Sequence, residues 1–364
     1  MSRLEQLSEL GQSVWIDFLS RDLLDSGALA RAVRDDAVVG VTSNPTIFAN
    51  ALSRGDHYDA QLASRGGGNA KRVFLALAMR DVANACDLLR LVWQQTEGRD
   101  GYVSIEVDPN LADDTEATVH EATQLHEAIA KPNLLVKIPA TAAGLGAIEE
   151  MTARGRSINV TLIFSLTRHR QVVDAYLSGL ERLIAAGGDP SRVHSVASFF
   201  VSRVDTETDR RLDELGRDDL KARLGIANAK FAYQQYKELF RGERWESLAA
   251  RGATKQRCLW ASTSTKNPFL RDTLYVEELI GPETISTMPE VTIRAFQDHG
   301  RVDLTVESGL EEAQHLFKQL YAAGVDYEDV VATLEREGVE KFVTSFRELL
   351  RDIDDKRQRL TAAA

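Results

Sequence analysis

The sequence predicts an α/β fold of the (β/α)₈ TIM-barrel type with additional helices. Short β-branched or apolar runs alternate with longer segments of helical periodicity, the pattern of a parallel sheet whose strands are joined by crossover helices. Eight such runs are present. No GxGxxG or GxxxxGK[ST] turn follows any of them, which argues against an open dinucleotide- or nucleotide-binding sheet.

In chain order the runs are Val14 to Leu19, Val38 to Thr42, Tyr102 to Val107, Leu134 to Ile138, Ser157 to Phe164, Ser195 to Val201, Cys258 to Ser262 and Thr284 to Met288. Between the fifth and sixth, Arg168 to Ala186 carries Val172, Val173, Tyr176, Leu180, Leu183 and Ile184 at helical spacing, and Gly187-Gly188-Asp189-Pro190 then stops it. Two connections exceed one barrel helix. The stretch Asn50 to Gly101 has room for at least two helices, and Asp205 to Arg257 for two or three, including Asn228 to Phe240. Beyond the last run, Gly309 to Ala323, Tyr327 to Glu337 and Val339 to Leu360 read as further helices. A barrel of about 250 residues plus roughly 100 residues of helical additions accounts for the 364-residue chain. No Pro- or Ser-rich linker, repeat or composition break divides it, so residues 1–364 are expected to form one domain.

The composition, 43% hydrophobic and 27% charged, is that of a core-forming soluble protein. A net charge of −11 argues against a general nucleic-acid binder, which normally presents surplus Lys and Arg to the phosphate backbone. A phosphate-ester substrate would require cations gathered at one place in the fold. Cys86 and Cys258 sit in apolar surroundings without CxxC or Cys/His spacing and read as buried small hydrophobes. The seven histidines show no metal-ligand pattern, so a metal-dependent mechanism is not expected. Neither a signal peptide nor a run of about 18 apolar residues is present, so a cytoplasmic protein without a membrane partner is expected. The helical surface pattern does not choose between monomer and homodimer.

Parallel strands buried on both faces should be continuously hydrophobic, so ionisable residues inside them demand a reason. Leu134-Leu135-Val136-Lys137-Ile138-Pro139-Ala140 has one charged residue, a lysine in the middle. Burial disfavours the ammonium and leaves neutral amine able to attack a carbonyl, as a Schiff-base lysine must. A lysine snorkelling to solvent or bridging a carboxylate is the other reading. In the third run Ser104, Glu106 and Asp108 alternate onto one face, inward in a barrel and close to the C-terminal rim where barrel active sites form. Asp17 lies among Trp15, Ile16, Phe18 and Leu19, and is either a functional carboxylate or a salt-bridge partner or cap. The fifth run places Asn159, Thr161 and Ile163 on one face; Thr161 is an ordinary strand former, whereas Asn is depleted in strands. Asn44, in the turn Thr42-Ser43-Asn44-Pro45, adds a second amide suited to a polyhydroxy ligand, although Asn-Pro is also a plain turn signal. Carbinolamine and aldol chemistry need a neutral amine and groups that move protons; a lysine with carboxylates supplies both.

In order and spacing, the segments WIDFLSR around Asp17, GVTSNPTIF around Asn44, SIEVDP around Glu106, LLVKIPAT around Lys137, INVTLIFS around Thr161 and ASFFVSRVD around Ser198 and Arg203 resemble transaldolases, closest to the longer bacterial branch, in which LWASTSTKNP is also familiar. The resemblance runs from Val14 to about Pro268. It implies a cofactor-free enzyme of the non-oxidative pentose phosphate pathway acting on sugar phosphates, with Lys137 forming the Schiff base and Asp17 moving the proton of the C4 hydroxyl. Glu106 and Thr161 would hold a proton-relaying water, Asn44 and Asn159 would bind the dihydroxyacetone hydroxyls, and Ser198 and Arg203 would take the phosphate. Many family members add a phosphate-binding Arg after a short Ala-Ser-Phe segment. This chain reads Ala261-Ser262-Thr263-Ser264-Thr265-Lys266, which makes Lys266 the candidate. The extended C-terminal segment with Gly338-Val339-Glu340-Lys341-Phe342 resembles the helix that closes over the barrel mouth, and amphipathic packing alone would also explain it. Two rival functions remain. A fructose-6-phosphate aldolase belongs to a branch with much shorter chains and a glutamine in place of Glu106. A sugar-phosphate-binding barrel without turnover would need no buried nucleophile.

Overall fold

All eight runs are strands, and all pair in parallel. The computed structural model describes residues 1–53, 55–64 and 68–362. The strands are β1 (Gln12–Ile16), β2 (Val38–Val41), β3 (Tyr102–Glu106), β4 (Leu134–Pro139), β5 (Ile158–Ile163), β6 (Ser195–Phe200), β7 (Arg257–Ala261) and β8 (Thr284–Met288). They follow one another in sequence order and close through β1 and β8.

Strand alternation sorts the apolar residues into two bodies. Val14, Ile16, Val103, Ile105, Val136, Ile138, Val160 and Phe199 face outward into the core beneath the helices. Trp15, Tyr102, Leu135, Val196, Leu259 and Ile285 fill the barrel itself. This double burial is why the strands read as continuous hydrophobic runs. Trp15 is so closely held that a Cβ on Gly40 of β2 would lie 2.4 Å from its ring. At the N-terminal end the barrel is plugged by a polar cluster. Arg257 donates to Asp100 at 3.0 Å and to Ser13 at 2.9 Å, and Trp15 Nε1 donates to Asp100 at 3.1 Å. Both cysteines are free and buried, as expected.

Three expectations need correction. β1 starts two residues earlier than predicted and ends at Ile16, because Gln12 and Ser13, polar as they are, find partners in Leu279, Thr284 and Asp100. Asp108 lies beyond the end of β3 and away from the inward face: it caps the turn at Pro109–Leu111 and accepts from Lys71 at 2.7 Å, while Glu121 accepts from its backbone N–H. The two predicted C-terminal helices are one, Tyr327–Ala362. Gly338 does not interrupt it but is buried there, where a Cβ would stand 3.2 Å from Leu162 and 3.3 Å from Phe164. The glycine costs helix propensity and gains close approach of the helix to the end of β5.

The long connections hold the expected extra helices. Among the described residues of the first are Asp59–Ser64, Ala70–Leu88 and Arg90–Gln95, and in the second Ser202–Leu215, Leu224–Leu239 and Gly242–Ala249. No helix among the described residues is long and apolar enough to cross a membrane.

One buried acid in these additions has a readable pH consequence. Burial pushes the Asp205 carboxyl up to about 7 against the pull of the Gly225 N–H, with Asp209 adding to the rise and the Tyr275 hydroxyl opposing it. An unfolded chain ionises this residue near 3.8, so between about 4 and 7 the folded state holds the extra proton and stability falls as pH rises, levelling above 7. The melting temperature of Asp205→Asn minus that of the wild type should therefore climb across that window and then flatten. A pH-independent difference would refute the assignment.

Candidate active site

The C-terminal ends of the strands converge on a pocket of about 280 Å³ lined by Asp17, Asn44, Lys137, Thr161, Ser198, Arg203 and Lys266 together with Thr42, Phe200, Thr287 and Phe342, among others. Larger cavities, of about 340 and 620 Å³, open around the starts of the strands, where Arg257 is already engaged by Asp100 and Ser13. Chemistry rather than volume picks out the smaller one: among the described residues it gathers a lysine, an arginine without an ion pair and the inward carboxylate of Asp17.

Lys137 and Glu106 are Cα partners across β3 and β4, so both side chains project inward at one level. Lys137 Nζ stands 3.2 Å from Glu106 Oε2, with the side chains 6% and 2% exposed. The contact is electrostatic, since neither oxygen of Glu106 has a hydrogen-bonding partner. The hydrogen bond of Nζ goes instead to the backbone carbonyl of Ser43 at 3.1 Å. Burial holds the Glu106 carboxyl above the usual range against the attraction of Lys137 and Arg203, with Asp17 adding to the rise. Glu106 is thus biased toward its protonated, donating form.

Asp17 is one residue past β1, its N–H continuing the ladder to Met288 O at 2.8 Å. The Thr42 hydroxyl donates to Asp17 Oδ1 at 2.6 Å and lies 2.7 Å from the Thr287 hydroxyl. Having one proton, committed to the carboxylate, Thr42 must accept from Thr287. The chain Thr287, Thr42, Asp17 therefore has one direction and fixes the carboxylate.

Asn44 precedes the helix Pro45–Ser53, and its side-chain oxygen accepts from Ile47 N at 3.0 Å, so its NH₂ is the group it can offer the pocket. Asn44 thus caps the turn and also lines the pocket. Asn159, the Cα partner of Lys137 across β4 and β5, is fully buried and outside the pocket lining, donating to Ser104 at 3.1 Å and accepting from Ser198 at 2.7 Å. Thr161 reaches the pocket beside a β-bulge: the β5–β6 register breaks between Val160 and Ile163, and Leu162 has φ of 59°, so that Ile163 packs outward with Phe199 instead of sharing the face of Thr161 as strict alternation predicts. Its buried hydroxyl has no hydrogen-bonding partner. Ser198 lines the pocket from β6, and Arg203 from the first turn of Ser202–Leu215. Lys266 is exposed at the rim, donating to Ser264 at 3.1 Å.

Sequence comparison matches residues 14–353 to the family described as Transaldolase/Fructose-6-phosphate aldolase. The chain belongs to that family. Its relatives include proteins named transaldolase from Mycobacterium leprae, 51% identical over 97% of this chain and 96% of theirs, and from Acidothermus cellulolyticus, 53% identical over 95% and 94%. Another, from Saccharopolyspora erythraea, is 52% identical over 98% of both chains. Within this member, sequence reasoning passed over Thr42, Thr287 and Ser43. Thr287 within β8 and Thr42 directly after β2 carry no distinctive signal, and Ser43 meets the lysine through its backbone carbonyl, which every residue possesses.

Proposed function

We propose that the protein is a transaldolase, transferring a dihydroxyacetone unit from sedoheptulose 7-phosphate to glyceraldehyde 3-phosphate and producing erythrose 4-phosphate and fructose 6-phosphate. The observation that carries this reading is the enclosed Lys137, held by Glu106 and the Ser43 carbonyl in a pocket that also contains Asp17 and Arg203. The Lys137 amine adds to the donor's C2 carbonyl, and loss of water gives an iminium ion. Asp17 takes the proton of the C4 hydroxyl as the C3–C4 bond breaks, the bonding pair moving toward the iminium to form an enamine while C4 leaves as an aldehyde. The acceptor aldehyde then re-forms the bond and recovers the proton from Asp17, and water releases the product from Lys137.

Imine formation and hydrolysis both move protons at the lysine. Glu106 Oε1 and the Thr161 hydroxyl are buried without a hydrogen-bonding partner, a need that one shared water would meet, and the raised Glu106 pKa suits an acid that donates and recovers a proton. Asn44 and Ser198, the latter oriented by Asn159, are assigned to the hydroxyls of the three-carbon unit, and the Arg203 fork to the phosphate, where Ser198 can join only by turning its one proton away from Asn159. Glu106 and the length of the chain favour transfer over release of free dihydroxyacetone.

The test is intact-protein mass spectrometry after borohydride treatment with fructose 6-phosphate. A reduced adduct of dihydroxyacetone size on the wild type and none on Lys137→Met is expected. A folded, sugar-binding protein that forms no adduct would leave a binding barrel as the answer. Lys266→Ala should raise KM for phosphorylated substrates at low ionic strength, with the difference shrinking in salt because the ammonium is exposed. An unchanged KM at low salt would remove Lys266 from the phosphate site.

A further inference from the structure

The C-terminal helix contributes one side chain to the pocket among the described residues, Phe342. We propose that Phe342 is a positioning residue for Arg203 and thereby sets the preference for phosphorylated over unphosphorylated sugars. The proposal rests on the assignment of Arg203 to the phosphate.

Two buried arginines elsewhere in the protein are fixed by carboxylates, Arg21 by Asp81 and Arg257 by Asp100. Arg203 has no ion pair among the described residues, and its buried Nη1 has no hydrogen-bonding partner. Aromatic rings hold it instead: Cζ lies over the Phe200 ring at 5.0 Å and over the Phe342 ring at 5.7 Å. An aromatic ring attracts the cation without a lone pair to accept its N–H groups, so these contacts leave the donors of Arg203 for an anion. A carboxylate partner would occupy those same donors. Asp17 and Glu106 both attract the Arg203 charge. With Phe342 gone, one wall against collapse of the guanidinium onto those carboxylates is gone too.

The helix is anchored so that this ring stays in place. One turn before it, Gly338 sits directly against Leu162 and Phe164, the latter packed on Phe200 with ring centroids 5.2 Å apart. One turn after it, Phe346 meets Phe74 edge-on at 5.6 Å. Residues 338, 342 and 346 form a single stripe of the helix. The arginine assigned to the phosphate is therefore held by a ring from β6 and by a second ring 139 positions later in the chain than itself (342 − 203).

The experiment compares wild type, Phe342→Leu and Phe342→Trp in three measurements: KM for fructose 6-phosphate, inhibition by inorganic phosphate, and borohydride trapping of unphosphorylated dihydroxyacetone. Loss of one desolvated cation–π contact predicts KM and the phosphate inhibition constant raised about tenfold in Phe342→Leu, with both recovered in Phe342→Trp. Trapping of dihydroxyacetone should change far less, because that ligand makes no use of Arg203. Unchanged phosphate constants, an equal loss with dihydroxyacetone, or a tryptophan variant no better than leucine would each overturn the proposal. If leucine does not yield folded protein, Phe342→Met makes the same comparison. A wild type that traps no ketose refutes the transaldolase reading instead; calorimetry with inorganic phosphate on the same variants then decides whether Phe342 positions Arg203.

Discussion

Lys137→Met is expected to reduce transfer by at least roughly 10⁴-fold, the scale seen when a covalent nucleophile is removed from a site whose other parts survive. Methionine matches the length and burial of the lysine stem, so the loss should fall on turnover rather than on folding. The change strips Glu106 of the attraction that most opposes its burial. Its folded pKa, already raised, then rises further, and the carboxyl stays protonated to higher pH. An acid with a raised folded pKa costs stability as pH climbs from its unfolded value to its folded one. The mutant's melting temperature should therefore lie close to that of the wild type in acid and fall behind it as pH increases. Retained transfer would dismiss Lys137 as the nucleophile. A melting difference independent of pH would show that Glu106 does not depend on the lysine charge.

The second large effect concerns Asp17. Asp17→Asn keeps the shape of the side chain and an oxygen to accept from Thr42, but the amide cannot take a proton. Removing a general base of this kind predicts a loss of about 10²- to 10⁴-fold in transfer. Schiff-base formation with dihydroxyacetone should persist, because proton movement at the imine is assigned to Glu106 and Thr161. The informative result is a split between persistent trapping of dihydroxyacetone and nearly abolished carbon–carbon cleavage. Loss of both together would mean that Asp17 acts on the lysine, and retention of both would place the base elsewhere.

Much of this was legible in the chain. Eight apolar runs became eight strands because a barrel buries both faces of each strand, and that requirement is local and repetitive. The same requirement exposed Lys137 and Glu106 as anomalies within their runs, and six short segments placed the chain in its family. Asp108, one alternation beyond Glu106, looked equivalent in sequence, yet the strand had already ended, and Lys71 and Asn110 take its carboxylate. Periodicity specifies which face a residue would occupy, but where the chain leaves the sheet depends on partners supplied from elsewhere.

What the sequence determined by itself, then, was the alternation of strand and helix and the identity of the reactive groups, since both follow from local hydrophobic pattern and residue type. Tertiary structure decided who meets whom. Barrel register sets Glu106 beside Lys137, and closure brings Thr287 to Thr42 across 245 residues so that the pair fixes Asp17. A helix from the far end of the chain lays Phe342 over Arg203. These contacts depend on register, closure and the path of the last helix, which are properties of the whole assembled chain and leave no periodic trace in any one segment.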